Sequence, residues 1–427
     1  MRLTPPFIDG VLLALGSLPD ACAIIDSPRC EMERAFTFDS LHDWGTHLAG
    51  HGPYARNRRV FANDWREGRQ VTGTEDRLRE TIVRVANRLP GRPILIERGL
   101  MSMFLHTDLP GIAASMSEEL SNPLLVIDHS SPDDDWVDGW HSVQEAVLNH
   151  IVGPEGTADT VITNYCMHRQ EGDEFGNLLE IHRLMNSLEI PDPAWPLAGQ
   201  PLEGMQKVSQ EATRISFGFG EPTREQCRKE GQQLDLTLPI GFEGTSAFLR
   251  TLANHYGCRD AAEAIIEEQH KRLGERIINH VTRTLTGRGA VVVGDPQRVH
   301  GLCGILRELG MDVPLVVLLR RPDAEIPGRE RFEAAGTEIL VFPDAQDVAR
   351  RLASAAKTDC CHVVVGSGIF RDAARAAGLP MVETAMPFRL EHFTASTPWM
   401  GFEGMVVLAD RLGNAVARGT YEAKPPM

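Results

Sequence analysis

Short runs of β-branched residues alternate with segments of helical spacing throughout the last third of the sequence. Ala290–Asp295 contains three consecutive valines and ends at a glycine and an aspartate, and Val299–Leu309 then carries apolar residues at helical spacing. The pattern repeats at Pro314–Leu319, and again where His362–Gly366 is followed by Ile369–Ala377. Strands buried on both faces have this apolar character. Their alternation with helices predicts a doubly wound parallel sheet.

The same alternation, in a less regular form, occupies the rest of the chain. In a first unit, strands are predicted at Ala23–Asp26, Arg59–Phe61, Ile94–Glu97 and Leu124–Ile127. A second unit begins at the strand Thr160–Asn164, continues through helices around Leu178–Ser187 and Gly204–Ala212, and closes near Leu234–Pro239. We therefore predict three Rossmann-like α/β domains, at residues 1–155, 156–275 and 276–427, the last completed by C-terminal helices.

The charge balance excludes two classes of partner. The 427 residues include 43 Lys and Arg against 59 Asp and Glu, which gives a formal net charge of −16. Nucleic acids and anionic membrane surfaces attract cationic proteins, so we expect neither as a partner. No apolar run approaches the roughly 20 residues that span a bilayer.

The cysteine pattern is typical of a cytoplasmic protein with free thiols. The apolar stretch at Val11–Leu15 is shorter than the roughly 7–15 residues of a signal-peptide core, and Pro5, Pro6 and Asp9 interrupt its approach. The eight cysteines are spread along a long chain rather than packed at the density of a disulfide framework. They are Cys22, Cys30, Cys166, Cys227, Cys258, Cys303, Cys360 and Cys361.

Cys30 is the best placed of these thiols for chemistry. It follows the strand Ala23–Asp26 directly, and open α/β sheets bind ligands beyond the carboxyl ends of their strands. A thiolate there could also be stabilised by a following helix N-terminus. The alternative is a small buried hydrophobic residue, and Cys22, eight residues earlier, is read first as a core thiol.

No segment of the sequence can cradle the phosphates of a nucleoside triphosphate. The Gly-x-x-x-x-Gly-Lys-Ser/Thr pattern is absent, and Gly294–Pro296 lacks the glycine pattern of a dinucleotide site. Gly366–Gly368 opens a helix after a strand, so its amides could receive an anion, although a tight turn explains the segment equally well.

Several segments, taken in order, resemble the nitrogenase component 1 superfamily. This superfamily includes the nitrogenase molybdenum–iron subunits, the cofactor-assembly scaffold pair and the dark-operative protochlorophyllide and chlorophyllide reductases. Asp26–Cys30 is similar to the family segment His-Gly-Pro-x-Gly-Cys, and Pro239–Gly241 to its Pro-x-Gly. Gly294–Pro296 resembles the opening of the last domain, and Pro398–Gly404 resembles the motif near its end.

The resemblance implies a division of labour between proteins. A separate ATP-hydrolysing iron–sulfur reductase would deliver electrons, and a homologous component 1 subunit would pair with this chain, as a heterotetramer or a homodimer. Cysteines near the first strand ends of both subunits would hold an interfacial iron–sulfur cluster, for which Cys30 lies at the best-matched position. A cluster usually needs four thiolates, so one such cysteine requires a partner.

The sequence also departs from the family pattern. The earlier family cysteine would fall near Pro5 or Pro6 and the later one near Leu100–Met103, where this chain has no thiol. A partner with three cysteines and this chain's Cys30 would together make a four-thiolate site for a 4Fe-4S cluster. Cys22 is kept as an additional metal ligand, since two copies of Cys22 and Cys30 in a homodimer also total four.

Met400 stands where the cofactor-bearing subunit of the family has a histidine ligand. A thioether is a weak, uncharged ligand, so we expect no large cofactor held by this chain alone. Three hypotheses follow. The first is a β-type subunit of a nitrogenase-like reductase, which is an oxidoreductase that relays electrons to a substrate bound with its partner. The second is a cofactor-assembly scaffold, and the third is a cluster-free structural subunit. The substrate is not specified by the sequence.

Overall fold

The computed structural model describes most of the chain. The described residues are 3–28, 30–33, 59–63, 74–163, 172–217, 233–277, 282–324, 326, 328–385, 391 and 393–422. Within them three separate parallel sheets are present, which confirms the predicted fold class of doubly wound α/β domains. The exact domain boundaries at 155/156 and 275/276 stay predictions.

Each sheet contains strands from one third of the chain. The first has the order β2-β1-β3-β4, the second has β5-β7-β6 with β8 paired to β7 on the side away from β6, and the third has β11-β10-β9-β12-β13. All these pairings are parallel. The strands are β1 Cys22–Asp26, β2 Val60–Ala62, β3 Ile94–Arg98, β4 Leu124–Ile127, β5 Val152–Gly153, β6 Ala158–Thr163, β7 Val208–Phe217, β8 Gln233–Leu236, β9 Gly289–Gly294, β10 Asp312–Leu318, β11 Glu338–Val341, β12 Val363–Ser367 and β13 Met381–Ala385.

Helices connect the strands and cover the faces of the sheets. They are α1 Phe7–Gly16, α2 Glu75–Arg88, α3 Leu100–Phe104, α4 Leu109–Ser117, α5 Trp136–Ile151, α6 Gly172–Ser187, α7 Gly241–Tyr256, α8 Arg259–Ile277, α9 Thr282–Leu285, α10 Pro296–Glu308, α11 Arg329–Ala334, α12 Ala345–Lys357, α13 Arg371–Ala376 and α14 Gly401–Glu422, with a 3₁₀ turn at Gly368–Phe370. None of the described helices is long and apolar enough to cross a membrane.

The first sheet buries both of its faces, because alternate residues of a strand point to opposite sides. Ala23 and Ile25 of β1 pack into the core formed with α1 and α5. Cys22 and Ile24 pack on the other face, into the core formed with α2 and α4. This division explains why β1 is apolar along its length and why its first polar side chain, Asp26, is also its last residue.

The second sheet lies between the other two units and shares a core with each. On β6, Val161 belongs to the core of the first unit, whereas its neighbour Ile162 belongs to the core that contains Val292 of β9. The long helix α14 at the end of the chain also packs in this second core, through residues such as Leu408. The three units are therefore packed together through continuous apolar contacts.

Close packing of α1 against α5 depends on two glycines. A Cβ atom on Gly10 would lie 1.7 Å from the main-chain oxygen of Trp136, and one on Gly139 would lie 2.1 Å from that of Phe7. Neither separation is possible for real atoms, so only glycine fits at either position. The helices touch backbone to backbone here.

One predicted element is wrong. Residues 208–217 form the strand β7, although a helix was expected around Gly204–Ala212. The buried residues Val208, Ala212 and Ile215 are spaced four and three apart, which is also the spacing of a helix face. The register irregularity where β6 pairs with β7 breaks the simple alternation that would have indicated a strand.

Candidate functional site

The carboxyl edge of the first sheet carries the predicted site residue Cys30. β1 ends at Asp26, and a turn of helix at residues 30–33 follows it. The main-chain oxygen of Pro28 accepts hydrogen bonds from the amides of Glu31 (3.1 Å) and Met32 (3.3 Å), which closes that turn. Cys30 lies on it with its thiol exposed. The structure thus presents the Cys30 thiol on the surface, at the edge where α/β sheets bind ligands.

The turn is held on both sides of Cys30. Met32 is 7% exposed and packs in the core shared with α1 and α5. Ser27 is fully buried, and its hydroxyl lies where a Cβ atom on Gly99 would be, only 1.6 Å from that position. These two buried side chains flank the exposed Cys30 and hold its backbone in place.

Asp26 makes a buried polar contact with each of the two neighbouring strand ends. Its Oδ1 accepts a hydrogen bond from Nδ2 of Asn63 at 2.7 Å, and its Oδ2 accepts one from the hydroxyl of Ser102 at 2.5 Å. Its main-chain oxygen accepts from the amide of Gly99 at 3.2 Å. Asn63 follows β2, while Gly99 and Ser102 follow β3, so one residue joins three adjacent strand ends.

A second buried acid, Glu97, lies on the opposite face of the same edge. Its side chain is 2% exposed, and Oε1 is 3.8 Å from Nε2 of His129, which stacks on the ring of Phe7 at 3.8 Å between centroids. Burial raises the pKa of Glu97, and the neighbouring His129 acts against that rise. Among the described residues, neither Oε2 of Glu97 nor Nδ1 of His129 has a hydrogen-bond partner.

Cys22 occupies a different environment from Cys30. It is fully buried, and its thiol lies 3.6 Å from the carbonyl oxygen of Pro93. Burial raises its pKa to about 12, against the weaker opposing effects of Arg59 and Arg92. It is the first residue of β1, so the rise of the strand, about 3.3 Å per residue, puts it roughly 13 Å from Asp26 and the Cys30 edge. The two thiols of one chain do not share a site.

The described part of the chain does not by itself form a complete metal site. Within those ranges, no group of three or more His, Cys, Asp or Glu side chains could hold a metal ion. A single exposed thiol at a sheet edge fits a cluster only as one of several ligands, the others coming from a second chain. The donors in these ranges therefore fit one part of a shared iron–sulfur cluster and do not by themselves complete one.

Exposed apolar side chains lie beside this edge. Met101, Phe104 and Leu105, on and just after α3, are 41%, 56% and 44% exposed. Ser102, on the same short helix, is buried against Asp26. Large exposed apolar groups in one place mark protein interaction surfaces. The Cys30 edge therefore has the surface character of an interface.

Met400 lies in the core and not in an open pocket. It is 1% exposed, and its amide and that of Trp399 both donate to Oδ1 of Asn177, at 2.9 and 2.8 Å. The guanidinium of Arg298 lies 5.7 Å from the ring of Trp399.

At Gly366–Gly368, the hydroxyl of Ser367 already accepts from the amide of Ile369 at 3.5 Å, which favours the tight-turn interpretation.

An ion-pair cluster joins the first domain to the third. Asp135 Oδ1 is 2.5 Å from Arg320, whose guanidinium also lies 3.4 Å from Asp138, and Asp134 is 2.9 Å from Arg321. Burial raises the pKa of Asp135 to about 7, against the attraction of Arg320. Burial also acts to raise the pKa of Asp138, but Arg320 and the Asp135 amide hold it below its usual value.

Hydrogen bonds to main-chain oxygens reinforce this junction. They come from the beginning of the chain and from the start of α5, and they end on loops that follow β10 and β11. The contacts are Leu3 N–H to the Pro343 oxygen (3.2 Å), the Thr4 hydroxyl to the Arg320 oxygen (3.3 Å) and the Trp136 indole to the Leu319 oxygen (2.8 Å).

Three parallel sheets flanked by helices define a class of α/β protein that binds its ligands at the carboxyl ends of the strands, and comparison with known proteins identifies the family. Residues 9–417 match the family model of nitrogenase component 1 type oxidoreductases. The chain therefore belongs to this family, as the sequence resemblance predicted.

The most similar curated proteins include two kinds of polypeptide. Over 253 residues the chain is 28% identical to a subunit of the light-independent protochlorophyllide reductase from Methylobacterium radiotolerans, covering 58% of this chain and 46% of that protein. Over 237 residues it is 27% identical to the nitrogenase molybdenum–iron protein beta chain of Methanothermobacter thermautotrophicus, covering 54% and 50%. The matched stretches thus span about half the length of these relatives.

A solved structure extends the likeness to the whole fold. The structure described as nitrogenase Cp1 at pH 6.5 superimposes with a TM-score of 0.76 and covers 99% of this chain and 94% of its own, at 18% sequence identity. At this identity the match shows a common fold. It agrees with the prediction of a nitrogenase component 1-like architecture.

The sequence pointed to Cys30 but missed the groups around it. Asn63, Ser102 and His129 are far apart in the sequence and had no recognisable motif. Glu97 did carry a signal, because a charged residue closes the apolar run Ile94–Ile96 at a predicted strand end.

Proposed function

We propose that this chain is a β-type subunit of a nitrogenase-like reductase complex. In this role Cys30 supplies one thiolate to a 4Fe-4S cluster shared with a homologous component 1 subunit that offers three. Electrons come from an ATP-hydrolysing iron–sulfur reductase and pass to a substrate bound with the partner. The observation that carries the proposal is the exposed thiol of Cys30 at the carboxyl edge of the first sheet.

The surroundings of Cys30 support a ligand role. The buried anchors Ser27 and Met32 fix the turn, so the thiol is presented without a loss of loop entropy on binding. The apolar residues Met101, Phe104 and Leu105 give a second chain a surface to cover, which would exclude water from the shared site. A cluster bound there would supply one-electron storage, and this chain would orient it through Cys30.

The relatives support the same assignment. The chain resembles a subunit of one reductase and the beta chain of nitrogenase, and both names denote one part of a larger complex. The lack of any phosphate-binding loop in the sequence agrees with a separate ATP-hydrolysing partner. We place the complex in the cytoplasm, where free thiols persist.

Cys22 has no part in this proposal. A homodimer that used Cys22 and Cys30 of both copies would have to extract a thiol with a pKa of about 12 from the core of the first sheet. A heteromeric site that uses Cys30 alone needs no such rearrangement. The substitution Cys22→Ala tests the difference, since it should leave the iron content unchanged.

A second candidate function is that of a cofactor-assembly scaffold. The buried Met400 favours it, because the position that carries a histidine ligand in the cofactor-bearing family subunit has only a core thioether here. A scaffold transfers its cluster to an acceptor apoprotein, whereas a reductase consumes reductant in proportion to substrate. Incubating the complex with each in turn separates the two functions.

The test is anaerobic co-expression with the homologous subunit and the ATPase homologue. We expect a brown complex that contains about four iron atoms per pair of homologous subunits. Cys30→Ala should remove most of that iron. Cys360→Ala is the matched control, because Cys360 is also exposed but lies in the third domain, before β12. Equal iron in the two variants would refute the role of Cys30.

A further inference from the structure

Asp26 is the most completely buried acid near Cys30, and nothing so far assigns it a role. It is 0% exposed, and both carboxylate oxygens accept hydrogen bonds, from Asn63 and from Ser102. These donors follow β2 and β3, the two strands on either side of β1. Asp26 therefore fixes the relative positions of three strand ends at the point where the chain leaves β1 toward Cys30.

We propose that Asp26 is the positioning residue for the Cys30 ligand and that its buried negative charge tunes the redox group held there. The inference rests on the proposed function, because it assumes that Cys30 binds a cluster. It adds a residue that does not contact the metal. Groups that orient metal ligands from behind commonly alter both the affinity for the metal and its properties.

A carboxylate suits the two groups that surround it. Nδ2 of Asn63 and the hydroxyl of Ser102 both donate, to different oxygens of the same side chain. An asparagine has one accepting oxygen and one donating nitrogen, and a serine hydroxyl can accept as well as donate. Asp26→Asn can therefore keep both contacts, with its oxygen facing Asn63 and its nitrogen facing Ser102, so that it removes the charge and leaves the contacts in place.

Asp26 can affect the position of Cys30 only from the side of the turn that adjoins β1. Beyond Cys30, Met32 stays anchored in the core, and Ser27 remains packed against Gly99. Loss of a contact to Asp26, as in Ser102→Ala, should thus loosen the end of β1 from which the turn starts, while the two anchors keep the domain folded. The effect is expected in the bound metal before it is expected in stability.

The charge of Asp26 acts independently of its hydrogen bonds. A buried anion four residues from the ligand opposes the arrival of a further negative charge, because the protein interior screens it weakly. Reduction of a cluster at Cys30 adds one electron, which the ATP-hydrolysing reductase supplies. The carboxylate should therefore lower the midpoint potential of that couple, as charge near a cluster generally does.

The experiment compares the co-expressed complex containing Asp26→Asn with complexes containing Ser102→Ala and Asp235→Asn. Ser102→Ala breaks one contact and keeps the charge. Asp235→Asn makes the same chemical change at an exposed position on β8 of the second sheet. Iron content, the electron paramagnetic resonance spectrum of the reduced complex and a mediator titration of the midpoint potential are measured for each.

We expect Asp26→Asn to raise the midpoint potential while the iron content stays at the wild-type level, because the charge is removed and both contacts can remain. Ser102→Ala should change the spectrum without an equal rise in potential, and Asp235→Asn should match the wild type. A wild-type potential for Asp26→Asn would overturn the proposed effect of the charge. If that variant does not fold, a wild-type spectrum for Ser102→Ala overturns the positioning role instead. Iron-free wild-type complex, in contrast, would overturn the proposed function itself.

Discussion

Replacing Arg320 with alanine should lower the melting temperature of the chain by about 3–6 °C. The side chain of Arg320 is 7% exposed and pairs with Asp135 at 2.5 Å and Asp138 at 3.4 Å. Removing one partner of a buried ion pair leaves uncompensated charge and costs about 3–5 kcal/mol. The unfolding entropy of 427 residues is about 0.9 kcal/mol/K, at roughly 2.1 cal/mol/K per residue. The cores shared between the units favour a single unfolding transition. The loss of free energy divided by this entropy therefore gives the expected fall in melting temperature.

Differential scanning calorimetry measures the shift, with Arg350→Ala as the matched control. Arg350 is 77% exposed and lies 3.4 Å from Asp347. Exposed pairs of this kind contribute about 0–1 kcal/mol, so the control should shift by no more than about 1 °C. If both variants melt within about 1 °C of the wild type, the interdomain ion pairs do not stabilise the native state and the reasoning is refuted.

The pH dependence of the same variant provides a second check. Burial raises the pKa of Asp135 to about 7 from an ordinary 3.8, and Arg320 opposes that rise, so the pKa goes higher still without it. A carboxyl group with a native pKa above its unfolded value stabilises the fold when protonated, and this stability is lost as the pH rises through the native pKa. The deficit of Arg320→Ala should therefore shrink as the pH falls from 8 to 5.

Three further predictions concern packing, thiol reactivity and the second buried acid. Gly139→Ala should lower the free energy of unfolding in urea by about 1–3 kcal/mol, because its Cβ would overlap α1. Gly304→Ala, whose Cβ would have no neighbouring atom within 4 Å, should raise that free energy by up to about 1 kcal/mol. Equal stabilities of the two variants would contradict the packing argument. Iodoacetamide should label Cys30 in the native chain and Cys22 only after unfolding, as peptide mass mapping will show, unless the core opens in the native state. Glu97→Gln should melt above the wild type at pH 8 and close to it at pH 4.5. The reason is that a carboxyl group with a raised pKa lowers the stability of the fold as the pH rises above 4.5. A lower melting temperature at pH 8 would show that the ionised pair with His129 is stabilising.

The sequence pattern predicted most of the fold because the central strands are buried on both faces. Runs such as Ala290–Gly294 are apolar without interruption, so they stand out from the helices that follow. The pattern failed at β7, where apolar residues are three and four apart. The short helices α3 and α4 were also not predicted, since α3 has only one buried residue and therefore no apolar face to recognise.

Only those features of the site that depend on local sequence were predictable. Cys30 follows a recognisable strand, so its place at the sheet edge could be inferred. The role of Asp26 could not, because its partners Asn63 and Ser102 are 37 and 76 residues away and meet it only when β1, β2 and β3 are adjacent. Strand order is set by the packing of the whole sheet and has no signature in any one segment.

The hydrogen bonds that the first residues make with the third domain have a consequence for synthesis on the ribosome. The hydroxyl of Thr4 binds the carbonyl oxygen of Arg320, 316 positions later. At about 5–20 residues per second, translation takes roughly 15–65 s to reach that acceptor. The segment around Thr4 therefore waits for this partner while the residues of the two earlier sheets are synthesised.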